Sequence, residues 1–172
     1  MTATFASDAS GATESAHGGS TGTVAGDGSR LGIQLGDEHW LIDLADVNEV
    51  IPVPELTEVP FTRHWLAGVT SIRGNPVAVI DLNAFFGGAR TEAGERARLA
   101  VVAQCHRINS ALLVGCVLGL QPFDRFVREP DGVPQAPWIE GRYRDPDERR
   151  WTALSMHGLL GHPDFLRIEL PA

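Results

Sequence analysis

Gly68-Val69-Thr70-Ser71-Ile72-Arg73-Gly74-Asn75-Pro76-Val77-Ala78-Val79-Ile80-Asp81-Leu82-Asn83-Ala84-Phe85-Phe86 sets two short apolar segments on either side of an Arg-Gly-Asn-Pro turn. Residues 69–72 read as a short strand, Gly74-Asn75-Pro76 as a tight turn, and residues 77–80 as a second, apolar strand. Asp81 stands where a helix N-cap belongs. Its carboxylate can accept bonds from the free N–H groups of the turn 82–86, a contribution of about 1 kcal/mol. One arginine, Arg73, is left at the lip of this otherwise apolar hairpin. It is either a solvated charge at the end of a strand or a guanidinium projected toward a partner.

Moving upstream, Leu31, Ile33 and Leu35 alternate as in a half-buried strand, and Gly36-Asp37-Glu38 turns the chain into residues 39–44. Residues 45–51 fit two patterns. Asp43, Asp46 and Glu49 share one helical face, yet a strand carrying Val47 and Glu49 on the same side is equally consistent. Pro52, Pro54 and Pro60 then impose an extended connector, with one helical turn expected over 63–67. Residues 1–29 are dominated by Gly, Ser, Thr and Ala, with Phe5 and Val24 the main exceptions. Such a composition cannot bury enough surface to offset ordering entropy, so a disordered tail is expected, followed by one folded unit over 30–170.

Downstream, residues 87–95 form a polar loop. Residues 98–107 and 110–120 read as the longest strand pair, joined through Ile108-Asn109. Residues 121–140 carry the Pro130-Asp131-Gly132 turn signal and aromatic anchors at Phe123, Phe126 and Trp138. A last hairpin spans 141–155 around Pro146-Asp147-Glu148, and short helical segments at 156–160 and 164–168 close the chain. Many short strands punctuated by Gly, Pro and Asx turns predict a mostly β barrel or sandwich.

Composition narrows the function classes. The 172 residues hold one ordinary domain or two small subdomains, and 43% hydrophobic residues suffice for a core. No apolar run approaches the ~20 residues that span a bilayer. No basic region precedes an apolar segment at the N-terminus, so a cytoplasmic location is expected. A net charge of −8 argues against a nucleic-acid partner. All 14 basic residues are arginine, which removes Schiff-base chemistry, pyridoxal-phosphate anchoring and a P-loop lysine. Cys105 and Cys116 both fall in apolar strand-like runs. Two reduced, buried thiols are expected, with a disulfide across the hairpin as the alternative.

No complete catalytic set emerges. The six histidines are scattered, and His157 and His162, five apart, do not share a helical face as zinc ligands would. Ser71 lies outside any Gly-x-Ser-x-Gly elbow. Gly26-Asp27-Gly28 lacks the strand and the third glycine of a dinucleotide fingerprint. The acid pairs Asp43/Asp46 and Asp145/Asp147 read as solvated faces and turns or, alternatively, as cation or acid–base sites. Neither a metal nor a cofactor is expected, and the chain is not expected to be an enzyme.

The Arg73-Gly74 hairpin with its Asp81-Leu82 exit resembles the signature of the CheW-like family, adaptor proteins that couple chemoreceptors to a histidine kinase. The resemblance runs from about Arg30 to Glu169. It takes in residues 35–44, Val47-Asn48-Glu49-Val50-Ile51, Val59-Pro60, residues 99–102 and 111–117, and Trp151 to Ser155. The ending Leu159-Leu160-Gly161-His162-Pro163-Asp164-Phe165-Leu166 is similar to the PilI subgroup, which serves twitching motility on type IV pili. Departures are Ala78 where proline is usual, Gly115 where an acid is usual, and Ser71 where asparagine is common.

The resemblance implies two small SH3-like, five-stranded barrels around a shared core, with short helices and a C-terminal helical segment. It implies a non-catalytic adaptor that holds the cytoplasmic tip of a methyl-accepting chemoreceptor and binds the regulatory domain of a CheA-like histidine kinase. It also implies a short helical turn before a strand at 45–51, and recruitment to membrane-associated receptor arrays without insertion into the membrane. Val47, Glu49, Gly68 and Arg73 are its receptor-facing candidates, with Glu49 set near Arg73; the kinase-facing residues are left unassigned. The alternatives are an adaptor for flagellar chemotaxis, a small-barrel binder of nucleic acid or oligosaccharide, and an enzyme.

Overall fold

A computed structural model describes residues 28–130 and 136–170. The expected tail therefore lies outside the described residues up to residue 27, as do Asp131 and Gly132 of the expected turn. In chain order, β1 (Ser29–Leu35) and β2 (Glu38–Asp43) are followed by a 3-10 turn (Leu44–Asp46) and β3 (Val47–Pro52). The hairpin β4 (Leu66–Ile72) and β5 (Asn75–Asp81) runs into α1 (Leu82–Phe85). Then come β6 (Arg98–Val102), a 3-10 turn (Gln104–His106), β7 (Ser110–Val114), β8 (Cys116–Pro122), a 3-10 turn (Phe123–Arg125) and β9 (Val127–Arg128). The hairpin β10 (Ile139–Arg144) and β11 (Arg150–Leu154) precedes α2 (Met156–Leu160) and α3 (Pro163–Leu166). Among the described residues no helix is long and apolar enough to cross a membrane.

The strands form two sheets, one of six in the order β8-β1-β2-β11-β10-β9 and one of five in the order β3-β6-β7-β5-β4. Most neighbours are antiparallel, but each sheet has one central parallel pair, β2 with β11 and β5 with β7. The architecture is the mostly β pair of small barrels that the family resemblance implies, with the two-residue β9 as a sixth strand in one of them.

Alternation explains how one chain fills three cores. On β5, Val77 and Val79 point into the five-stranded barrel while Ile80 points the other way. On β7, Ala111 and Leu113 share that barrel interior while Leu112 and Val114 face the seam between the sheets. On β2, Leu41 fills the six-stranded barrel with Trp151, Ala153, Tyr143 and Phe123, while Trp40 and Ile42 join the seam. Strands buried on both faces must be apolar throughout, which is why Ala111 to Val114 and Val77 to Ile80 read as unbroken runs. An aromatic ladder locks the seam: Trp40 stacks on Phe86 at 4.7 Å and Phe86 on Trp138 at 5.3 Å, with Phe85 edge-on to Trp65 at 5.3 Å. Each such pair contributes about 1 kcal/mol beyond its buried area.

Four sequence expectations are corrected. The β4–β5 turn is Arg73-Gly74, not Gly74-Asn75-Pro76, because Ile72 pairs with Asn75 and Ser71 with Pro76. Pro76 is tolerated inside β5 because the ladder to β7 begins two residues later, at Ala78. Residues 63–67 form no helical segment. A single turn bond from Leu66 N to Arg63 O (3.0 Å) leads directly into β4.

The apolar run 110–120 is two strands in different sheets, divided at Gly115, whose N–H bonds to Gln34 O at 3.2 Å. Cys105 is exposed on a 3-10 turn, and Cys116 is half-buried with Arg96 Nη2 3.4 Å from its sulfur. Both are free thiols, and the polar stretch Gln104 to Arg107 that carries Cys105 is what takes it out of the strand.

Asp81 caps α1 as its position requires, accepting from Ala84 N at 3.2 Å. It does more than cap. At 1% exposure it also accepts from Thr91 N (2.6 Å) and Thr91 Oγ1 (2.8 Å), which ties the loop after α1 back to the end of β5. Asp81→Ala would leave buried donors without partners, a cost of about 2–4 kcal/mol, well above a simple cap. Urea unfolding of the variant measures this. A loss under about 0.5 kcal/mol would show that solvent replaces the carboxylate and that the Thr91 clamp is immaterial.

Candidate functional site

With Arg73 and Gly74 as its two central residues, the β4–β5 hairpin has a tight turn in which both φ values are positive, +51° and +81°. That geometry matches the right-handed twist of the flanking strands and favours Gly, Asn or Asp. Gly74 satisfies it without strain. Arg73 does not, and a non-glycine residue held there costs on the order of 1 kcal/mol. The guanidinium reaches from this turn to β3, at the far end of the sheet order, where Nη2 lies 2.8 Å from Glu49 Oε2.

The pair is asymmetric. The Arg73 side chain is 75% exposed and the Glu49 side chain 22%. An ion pair so open to water adds only about 0–1 kcal/mol to stability. Its effect is to aim the guanidinium, whose remaining N–H groups stay available. Glu49 itself is fixed by β3, where a bulge between Val47 and Glu49 shifts the pairing with β6.

The two residues border a groove of about 310 Å³. Its floor is apolar, from Ile72, Val77, Val101 and Val102, and its far wall comes from the β6–β7 connection, with Arg107 and Asn109. That connection is braced against the start of β3: Ala103 N bonds to Asp46 O at 2.9 Å, and His106 Nε2 lies 2.7 Å from Asp46 Oδ1. Asp46 is thus committed to the brace, and Asp43 to capping the 3-10 turn through Ala45 N. Asp145 is likewise occupied, accepting from Trp151 Nε1 and from the Asp147 and Arg149 amides.

The other two candidates stand apart from the ion pair. Val47 opens β3, but its side chain packs against the seam. Gly68 is buried in β4 at φ +146°, where an added Cβ would lie 2.6 Å from Thr57 O. Its bare backbone lets the proline-rich connector lie along β4, with Thr57 and Val69 exchanging two 2.9 Å bonds. Gly68 shapes the barrel edge and does not line the groove. Sequence reasoning missed the wall residues Arg107 and Asn109 because 98–107 looked like a continuous strand and Ile108-Asn109 only like its joint to the next. The signal was the polar run Gln104-Cys105-His106-Arg107.

The groove presents guanidinium and amide donors over an apolar floor, with its one carboxylate already paired. That is the chemistry of recognition. A roomier hollow of about 800 Å³ lies on the six-stranded sheet, where Arg149 pairs with Asp147 and Arg150 with Glu129, and Asp37 and Arg142 also line it. Among the described residues no three His, Cys, Asp or Glu side chains cluster as metal ligands.

Residues 30–164 match the family model described as a CheW-like domain. The chain is 28% identical over 146 residues to the protein PilI of Pseudomonas aeruginosa, which covers 83% of this chain and 80% of that one. It is 27% identical over 90 residues to the chemotaxis protein CheW of Thermotoga maritima, 52% of this chain and 58% of its relative. The crystal structure of the scaffolding protein CheW of Thermoanaerobacter tengcongensis superposes with a TM-score of 0.65 at 23% identity, over 78% of this chain and 93% of that one. That likeness concerns the fold, and the family match concerns the sequence; together with the hairpin signature they lead to one statement. The chain belongs to the CheW-like domain family.

Proposed function

We propose that this protein is a non-catalytic adaptor that couples the cytoplasmic tip of a methyl-accepting chemoreceptor to the regulatory domain of a CheA-like histidine kinase. Its adaptor unit spans residues 30–170, and it works in the cytoplasm at membrane-associated receptor arrays. The receptor-facing region is built on Val47, Glu49, Gly68 and Arg73. Arg73 and Glu49 make the direct contacts, and Val47 and Gly68 hold the strand and connector that frame them. The observation that carries this reading is the exposed Arg73 guanidinium, held in an unfavourable turn conformation and aimed by Glu49 over an apolar-floored groove. An adaptor that holds two partners exerts its effect as a coupling free energy between two sites.

Arg73→Ala should leave the melting temperature near wild type, since the open ion pair contributes little to folding. Binding to a soluble chemoreceptor hairpin fragment should nevertheless weaken at least tenfold, about 1.4 kcal/mol. Arg73→Glu should bind more weakly still, adding Glu49→Arg should restore part of the loss, and Arg73→Lys should rescue incompletely because it lacks the guanidinium fork. Titration calorimetry reads all four variants. Wild-type affinity in Arg73→Ala would refute the receptor-facing assignment.

The pathway we assign is twitching motility on type IV pili, supported by the PilI likeness along most of both chains. Deletion of the gene in its own host should abolish surface twitching and spare swimming. A strain that twitches normally but swims without chemotaxis would place the protein in the flagellar pathway instead.

A further inference from the structure

We propose that Arg107 is a second recognition group of the same groove, and that Arg73 and Arg107 together grip an acidic side chain on the partner segment. The inference rests on the reading of the groove as the receptor-facing site and specifies what that site selects.

Four non-glycine residues with positive φ are found among the described residues: Phe61, Arg73, Arg107 and Glu148. Two of these four line this one groove, and both are arginines. Non-glycine residues in the left-handed region are uncommon, persist where the surrounding structure fixes them, and concentrate at sites where a side chain is presented in a set direction. Arg107 adopts φ +56° at the end of the 3-10 turn Gln104–His106, with its N–H bonded to Gln104 O at 3.0 Å. That turn cannot drift from the groove, because Asp46 holds it through the Ala103 amide and the His106 ring.

Charge in the groove is uneven. Two guanidiniums stand against one carboxylate, and Glu49 is engaged by Arg73. Among the described residues the Arg107 guanidinium has no hydrogen-bond or ion-pair partner. The wall also carries Ser110, whose hydroxyl is buried with no hydrogen-bond partner. On a chain of net charge −8, this groove is a local cationic site. Guanidinium forks match carboxylates in geometry, and the apolar floor accepts a neighbouring aliphatic side chain. The occupant is therefore a receptor hairpin segment that carries Glu or Asp beside an apolar residue.

The test uses the full chain and the same soluble receptor hairpin fragment, with thermal melts beside calorimetry. Arg107→Gly removes the guanidinium and relieves the positive-φ strain. It should melt no lower than wild type yet bind at least fivefold more weakly. Arg107→Glu should bind more weakly again, and reversal of one acidic residue of the hairpin tip to arginine should restore its binding. A purely structural role for Arg107 would not respond to that charge swap. Wild-type binding by Arg107→Gly while Arg73→Ala binds weakly would overturn this inference and leave the receptor-facing groove standing. Wild-type binding by both variants would overturn the inference and the groove assignment together.

Discussion

Strands β5 and β7 lie side by side in parallel, and where they pair neither has a solvent face: Val79, Ala111 and Leu113 fill one barrel, while Ile80, Leu112 and Val114 fill the seam with the other. Everything else is arranged around that double burial. Because the side-chain period is two, a slip of one residue would exchange the barrel set for the seam set, so the register is tightly specified. The seam joins the two sheets through apolar contacts and the Trp40–Phe86–Trp138 ladder, and a packed interior of this kind transmits strain instead of absorbing it. A molecule built this way suits an adaptor, whose partners must feel each other through it.

The elements proposed for recognition sit at the rim of that rigid body and contribute little to its stability. The Arg73–Glu49 pair is open to water, and the turn that carries Arg73 is strained. Asp81, at the end of the same hairpin, has the opposite character: it is buried and binds the loop that follows α1. Carboxylates and guanidiniums thus divide by position. Those inside hold the chain together, and those at the groove are available to a partner at little cost to the fold. Gly68 also serves the fold, since its missing side chain is what lets the connector pair with β4.

Much of this was legible in the sequence, for physical reasons. The alternation of Leu31, Ile33 and Leu35, the apolar runs around the Arg73-Gly74 turn, and Asp81 at a helix start each report a local rule that the structure obeys. The Arg73–Glu49 contact, 24 positions apart, came from family likeness, because no local pattern encodes a contact across a barrel. What stayed hidden was also non-local. Residues 110–120 look uniformly apolar, and nothing in that run signals a change of sheet at Gly115. The same continuity concealed the 3-10 turn at Gln104–His106, and with it the exposure of Cys105 and the place of Arg107 in the groove.

In the proposed complex the partner segment enters the groove bounded by β3, the β4–β5 turn and the β6–β7 connection. The most direct measurement is amide chemical-shift mapping of the isotope-labelled chain as the soluble receptor hairpin fragment is added. The largest shifts should fall at residues 48–51, 72–75 and 104–110. Shifts confined to the six-stranded sheet, with these three segments unmoved, would contradict it.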